Sequence, residues 1–151
     1  LVGSEMCIRD RWYATADTYP QNAVRGPIVM VTNQWAGSDG DIVAAATQAM
    51  GYAKVIGERS WGGVVGIDGR FDLVDGTSVT QPRYAGWYGS YGWGVENHGV
   101  DPDIVVTVSP EDWEADCDVQ LDAAIAECLR QLDDKPAATA PELPGPAFDR
   151  C

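Results

Sequence analysis

The stretch Asn33–Ala45, NQWAGSDGDIVAA, sets one hydroxyl, Ser38, between Gly37 and Gly40 just ahead of a helical pattern. A serine hydroxyl is a weak nucleophile that needs a base, and its tetrahedral intermediate needs N–H groups facing the oxyanion. A turn between a buried strand and a helix N-terminus meets the second need. The first helical N–H groups have no partner there, and the macrodipole favours negative charge. Ser38 is therefore a candidate nucleophile and the Asp39 backbone N–H a candidate oxyanion donor. Gly37 and Gly40 let the backbone turn sharply and let a substrate come close. The same residue types also make ordinary helix caps, and on composition alone a cap is the commoner outcome.

Two further stretches bear on the choice. WGGVVG, containing Gly62 and Gly63, reads as a flexible second glycine loop on the side of a parallel sheet where ligands usually bind. VENHGVDPD brings together Glu96, an amide and the single histidine, His98. A lone histidine is more often a hydrogen-bonded surface residue than a base.

The elements that must position these groups can be read from periodicity. IVMVTN (Ile28–Asn33) is the β-branched apolar run of a buried parallel strand and is expected at the centre of a sheet. DIVAAATQAM places Ile42, Val43, Ala46, Ala49 and Met50 at helical spacing, with Asp41 near its start and Gly51 as its stop. AKVIGE reads as the next strand, completing a parallel strand-helix-strand unit. Asp75-Gly76 signals a hairpin, and more strand is expected at Trp87–Val95 and Ile104–Val108. DVQLDAAIAECLRQL predicts a last helix. Its stripe of Leu121, Ala124, Ile125, Cys128, Leu129 and Leu132 is expected to face the core, with an oligomer contact as the lesser alternative.

The 151 residues and 45% hydrophobic content suffice for one domain. A net charge of −13 repels phosphate backbones and anionic lipid, so nucleic acid and membrane surfaces are poor partners. No apolar run approaches the roughly 18 residues of a membrane span, and no basic-then-apolar leader opens the chain. Cys7, Cys117, Cys128 and Cys151 have neither C-x-x-C spacing nor a histidine at metal spacing. No metal and no cofactor is expected, Cys117 and Cys128 read as small part-buried thiols, and a reducing compartment follows.

LVGSEMCIRDR, residues 1–11, resembles one reading frame of a transposase adaptor used in sequencing libraries. That resemblance implies a fusion scar, with the natural gene cut before Trp12. Residues 12–132 then form the domain. The proline- and alanine-rich residues 133–151 are expected to be a disordered tail.

Taken together, GPIVMVTNQWAGSDGD, VIGERSWGGVVGI, LVDGTSVTQP and VENHGVDPDI resemble the C-terminal catalytic half of tricorn-type proteases in the tail-specific protease superfamily. The resemblance covers most of Trp12–Leu132. It implies an α/β fold of the Clp-protease and crotonase type, incomplete here, and a serine peptidase acting on oligopeptides. By the same resemblance Ser38 is the nucleophile, Asp39 N–H an oxyanion donor and Glu96 the acidic residue that supports the catalytic machinery. The general-base histidine would lie upstream of Ile28, in the part removed at the junction. A homo-oligomer, upstream propeller and PDZ domains, peptide substrates and a cytoplasmic location are also implied.

Two relatives of this chemistry fit less well. The processing-peptidase branch uses a lysine in its F-G-K-G loop, and WGGV puts Gly63 at that place. An α/β-hydrolase elbow would need glycine where Ala36 stands. The alternative of another class is a non-catalytic peptide-binding or assembly module, with YAGWYGSYGWG as its contact surface.

Overall fold

The β-branched run after Pro27 forms β1, Val29–Thr32, and the second apolar run forms β2, Lys54–Gly57, in a computed structural model that describes residues 20 and 22–139. The two strands pair in parallel, Val29 opposite Lys54 and Thr32 opposite Gly57. A parallel pair needs a crossover. Helix α1, Asp39–Met50, supplies it and ends at Gly51, whose left-handed backbone (φ 65°) lets its N–H reach the carbonyls of Thr47 and Gln48. The expected strand-helix-strand unit is thus present, with the helix starting two residues earlier than its apolar spacing indicated.

A third strand, β5 (Ile104–Val105), joins the other side of β2 in parallel, giving the order β1-β2-β5. Among the described residues β2, not β1, is therefore central, and β1 lies at the edge. The burial agrees, since adjacent strand residues point to opposite faces and Val55 and Ile56 are both fully buried. Val55 joins Ala44, Ala45, Val64, Val95 and Val100 in the core on the α1 side. Helix α3, Val119–Asp134, packs on β1 and β2 and covers the other face.

The α3 stripe departs from expectation. Ala124 is buried and Cys128 half-buried, but Leu121, Ile125, Leu129 and Leu132 are exposed. The face that docks is instead Gln120, Ala123, Ala124, Glu127 and Gln131, whose small central residues allow close approach to the sheet. Gln120 is fixed there because its Nε2 donates to the Val106 carbonyl at 2.9 Å.

Beyond the sheet, β3 (Gly66–Asp68) pairs antiparallel with β4 (Gln81–Tyr84). The turn at Asp75-Gly76 is present, with Gly76 at φ 82° and its N–H on the Leu73 carbonyl. The strands it joins start further out than the β-prone runs beside it. Trp87–Val95, expected as strand, is a series of turns held by Gly92 N–H to Tyr88 O and Gly94 N–H to Tyr91 O. Five glycines between residues 86 and 99 favour such turns over an extended run. The strand expected over Ile104–Val108 stops at Val105. Ser109 then caps a short helix, α2 (Pro110–Glu114), through a reciprocal capping box with Asp112 that the periodicity did not reveal. Among the described residues neither cysteine is in a disulfide; Cys128 is half-buried as expected, but Cys117, expected to be part-buried as well, is exposed in the turn after α2. Cys7, Cys151, the adaptor-like residues and most of the expected tail lie outside the described residues.

Candidate active site

Ser38 stands where β1 hands over to α1. Its backbone adopts φ 54° and ψ −112°, a conformation that costs a non-glycine residue on the order of 1–3 kcal/mol. The residue occupies the cap position yet its side chain makes no cap hydrogen bond. Capping therefore does not explain the strain. Among the described residues the hydroxyl of this exposed serine has no hydrogen-bond partner, and the next N–H, of Asp39, opens the helix where no intrahelical acceptor exists.

The facing wall is the segment Ser60–Val65, and its six consecutive backbone N–H groups are all used. Ser60 donates to the Val100 carbonyl and Trp61 to that of Ala36. Gly62 donates to Asp41 Oδ1 at 2.8 Å and Gly63 to Asp41 Oδ2 at 3.1 Å. Val64 and Val65 both donate to Glu96 Oε2 at 2.7 Å. Two carbonyls are engaged as well, Gly62 by Asn97 N–H and Gly63 by Ser38 N–H. What read in sequence as a flexible loop is a strap pinned at every amide.

Glycine is required for space at position 62 of this strap. Gly62 has φ 85°, and a Cβ on it would meet the Gly99 nitrogen at 2.4 Å. A Cβ on Gly63 or on Gly37 would enter the Trp61 ring, at 2.6 and 2.4 Å. The exposed indole of Trp61 thus lies across the glycines on both sides of the Ser38 turn. With their N–H groups taken by Asp41, Gly62 and Gly63 have no backbone donor left over, and Gly62 is itself buried.

Glu96 is brought to the same strap. Both of its hydrogen bonds fall on Oε2, and among the described residues Oε1 has no donor. His98 is turned elsewhere. Its Nε2 pairs with Asp101 Oδ2 at 2.8 Å and its Nδ1 lies 3.4 Å from Arg59 Nη1, both on the exposed surface. Lys54, the first residue of β2, pairs with Asp103 at 3.6 Å. Among the described residues no group of three or more His, Cys, Asp or Glu side chains is placed to hold a metal ion. None of the described helices is long and apolar enough to cross a membrane.

Sequence reasoning passed over Asp41 and Ser60, which are both buried at the site's base. A signal for Asp41 existed. It lies three and four residues before Ala44 and Ala45, on the core face of α1, where an acid must have partners.

A family model described as peptidase family S41 matches residues 5–106. The chain belongs to peptidase family S41. Among curated relatives, this S41 chain is 59% identical over 127 residues to a tricorn protease homolog 1 of Streptomyces coelicolor, covering 84% of the chain and 12% of that protein. It is 48% identical over 118 residues to a tricorn protease of Thermoplasma acidophilum, covering 78% of the chain and 11% of that protein. A crystal structure of the tricorn protease superposes with a TM-score of 0.77 at 45% identity, over 82% of the chain and 12% of that protein. The S41 chain therefore spans roughly an eighth of the length of these tricorn proteins, and the α/β fold read from its sequence is the one it has.

Proposed function

We propose that this S41 domain carries the nucleophile of a serine peptidase that cleaves oligopeptides by acyl transfer. The observation that carries the reading is the strained, uncapped Ser38, because backbone strain of this kind persists where the surroundings enforce it and gathers at reactive residues. In the reaction, Ser38 Oγ attacks the peptide carbonyl and gives its proton to a general base. The Asp39 N–H, at the positive end of α1, stabilises the oxyanion; the intermediate collapses as the peptide C–N bond breaks and the base gives its proton to the leaving amine, and water, deprotonated by the same base, then hydrolyses the acyl-serine ester and restores Ser38. The base is a histidine supplied by the longer protein, since His98 is held between Asp101 and Arg59. Glu96 Oε1, open to a donor, orients that histidine directly or through a neighbouring hydroxyl.

Support for the peptide substrate comes from family membership and from the tricorn relatives. The exposed apolar stripe of α3 favours assembly with further chain, either other domains of the same protein or second copies. A purely non-catalytic assembly module is the rival reading that this stripe leaves in play. The test is Ser38→Ala in the full-length protein. Loss of oligopeptide hydrolysis with the fold intact is expected, and full turnover by that variant would remove the assignment.

A further inference from the structure

The least expected group near Ser38 is Asp41, an acid with 0% exposure in the first turn of the helix that Ser38 opens. A buried carboxylate is costly unless its oxygens are well supplied with donors. Here Oδ1 accepts from the Ser60 hydroxyl and from Gly62 N–H, and Oδ2 from Gly63 N–H. Ser60 is buried too, and its Oγ in turn accepts the Val100 N–H at 2.8 Å. These bonds run from the nucleophile's own helix to the facing strap. The strap's Gly63 carbonyl then returns to the Ser38 N–H at 3.1 Å, closing a ring through Ser38, Asp41 and Gly63.

We infer that Asp41 is a positioning residue of the S41 site, holding the Ser60–Gly63 strap at the distance and register that keep Ser38 in its strained, outward conformation. The inference rests on the serine reading above and adds a residue to it. Ser38 cannot relax toward an ordinary cap while its N–H is held by Gly63 O, and Gly63 cannot move while its own N–H is held by a carboxylate on the same helix. An asparagine at this position would turn an amide N–H₂ toward one of the donors, so one arm of the clamp would become a repulsion. Ser38 would lose alignment without losing any group that binds substrate.

The experiment compares Asp41→Asn, Ser60→Ala and Ser38→Ala in the full-length protein, with steady-state kinetics on an oligopeptide and amide hydrogen exchange at Gly62 and Gly63. Asp41→Asn is expected to lower kcat by about 10- to 100-fold, the scale of a small misplacement of a reacting group. KM should stay within about twofold, and exchange at Gly62 and Gly63 should quicken. Ser60→Ala, which removes one donor and leaves both glycine bonds, is expected to give a smaller loss in the same sense. It decides the matter should Asp41→Asn fail to fold. A fall confined to KM, or wild-type kcat in either folded variant while Ser38→Ala is inactive, overturns the role of Asp41 alone. An active Ser38→Ala overturns the serine reading and this inference with it.

Discussion

Ser38 and Glu96 are joined through one peptide unit: Ser38 N–H donates to the Gly63 carbonyl at 3.1 Å, and the N–H of that same peptide, on Val64, donates to Glu96 Oε2 at 2.7 Å. Fifty-odd residues apart in sequence, the two meet only because α1 and the turn after Val95 approach opposite edges of the Ser60–Val65 strap. A planar amide polarised at both ends is stiff, and hydrogen bonds in series reinforce one another.

Glu96→Ala should therefore loosen the strap. The buried Val64 N–H loses its acceptor, at a cost of about 1–3 kcal/mol in denaturant unfolding, and exchange at the Val64 and Val65 amides should rise together. Glu96→Gln, which keeps one carbonyl oxygen, should cost less stability yet still slow catalysis in the full-length protein.

Gly99→Ala should be far more damaging than its chemistry implies. Gly99 has φ 88°, and an added Cβ would stand 2.1 Å from the Ser60 carbonyl oxygen, a backbone atom that cannot swing aside. Conformational strain and the clash together should exceed about 3 kcal/mol, read from the denaturation midpoint.

By contrast, Gly37→Ala meets the edge of a side chain that can move. Trp61 is 69% exposed, so its ring should rotate away and stability should change by no more than about 1 kcal/mol. The displaced Trp61 indole N–H resonance is the readout, and an unmoved resonance would mean that the turn has shifted instead.

On α3, Arg130 holds the Glu127 carboxyl well below the usual carboxylate range, at about 2, with Gln131 adding a second hydrogen bond. A lowered folded pKa contributes stability that is full above the ordinary value of about 4.5 and is lost as pH falls toward 2. The stability difference between the wild type and Glu127→Gln should be flat above pH 5 and shrink steadily between about pH 4.5 and 2.

Local physics made much of this molecule legible in its residues. The β-branched runs, the alanine-rich helix and its Gly51 stop determined the parallel strand-helix-strand unit, and a serine between glycines at its turn marked the candidate site. Other features depended on contacts far apart in sequence. The leucines of α3 match a helical stripe but stay exposed, because Gln120 and the small Ala123 and Ala124 fit the sheet more closely. Trp87–Val95 has the composition of a strand and forms turns, since its glycines leave little cost to bending. Whether Ser38 caps or protrudes could not be decided from its neighbours, which suit both. The tertiary structure decided it by placing Gly63 opposite the Ser38 N–H and burying Asp41 beneath the strap, a relation between segments that no local pattern encodes.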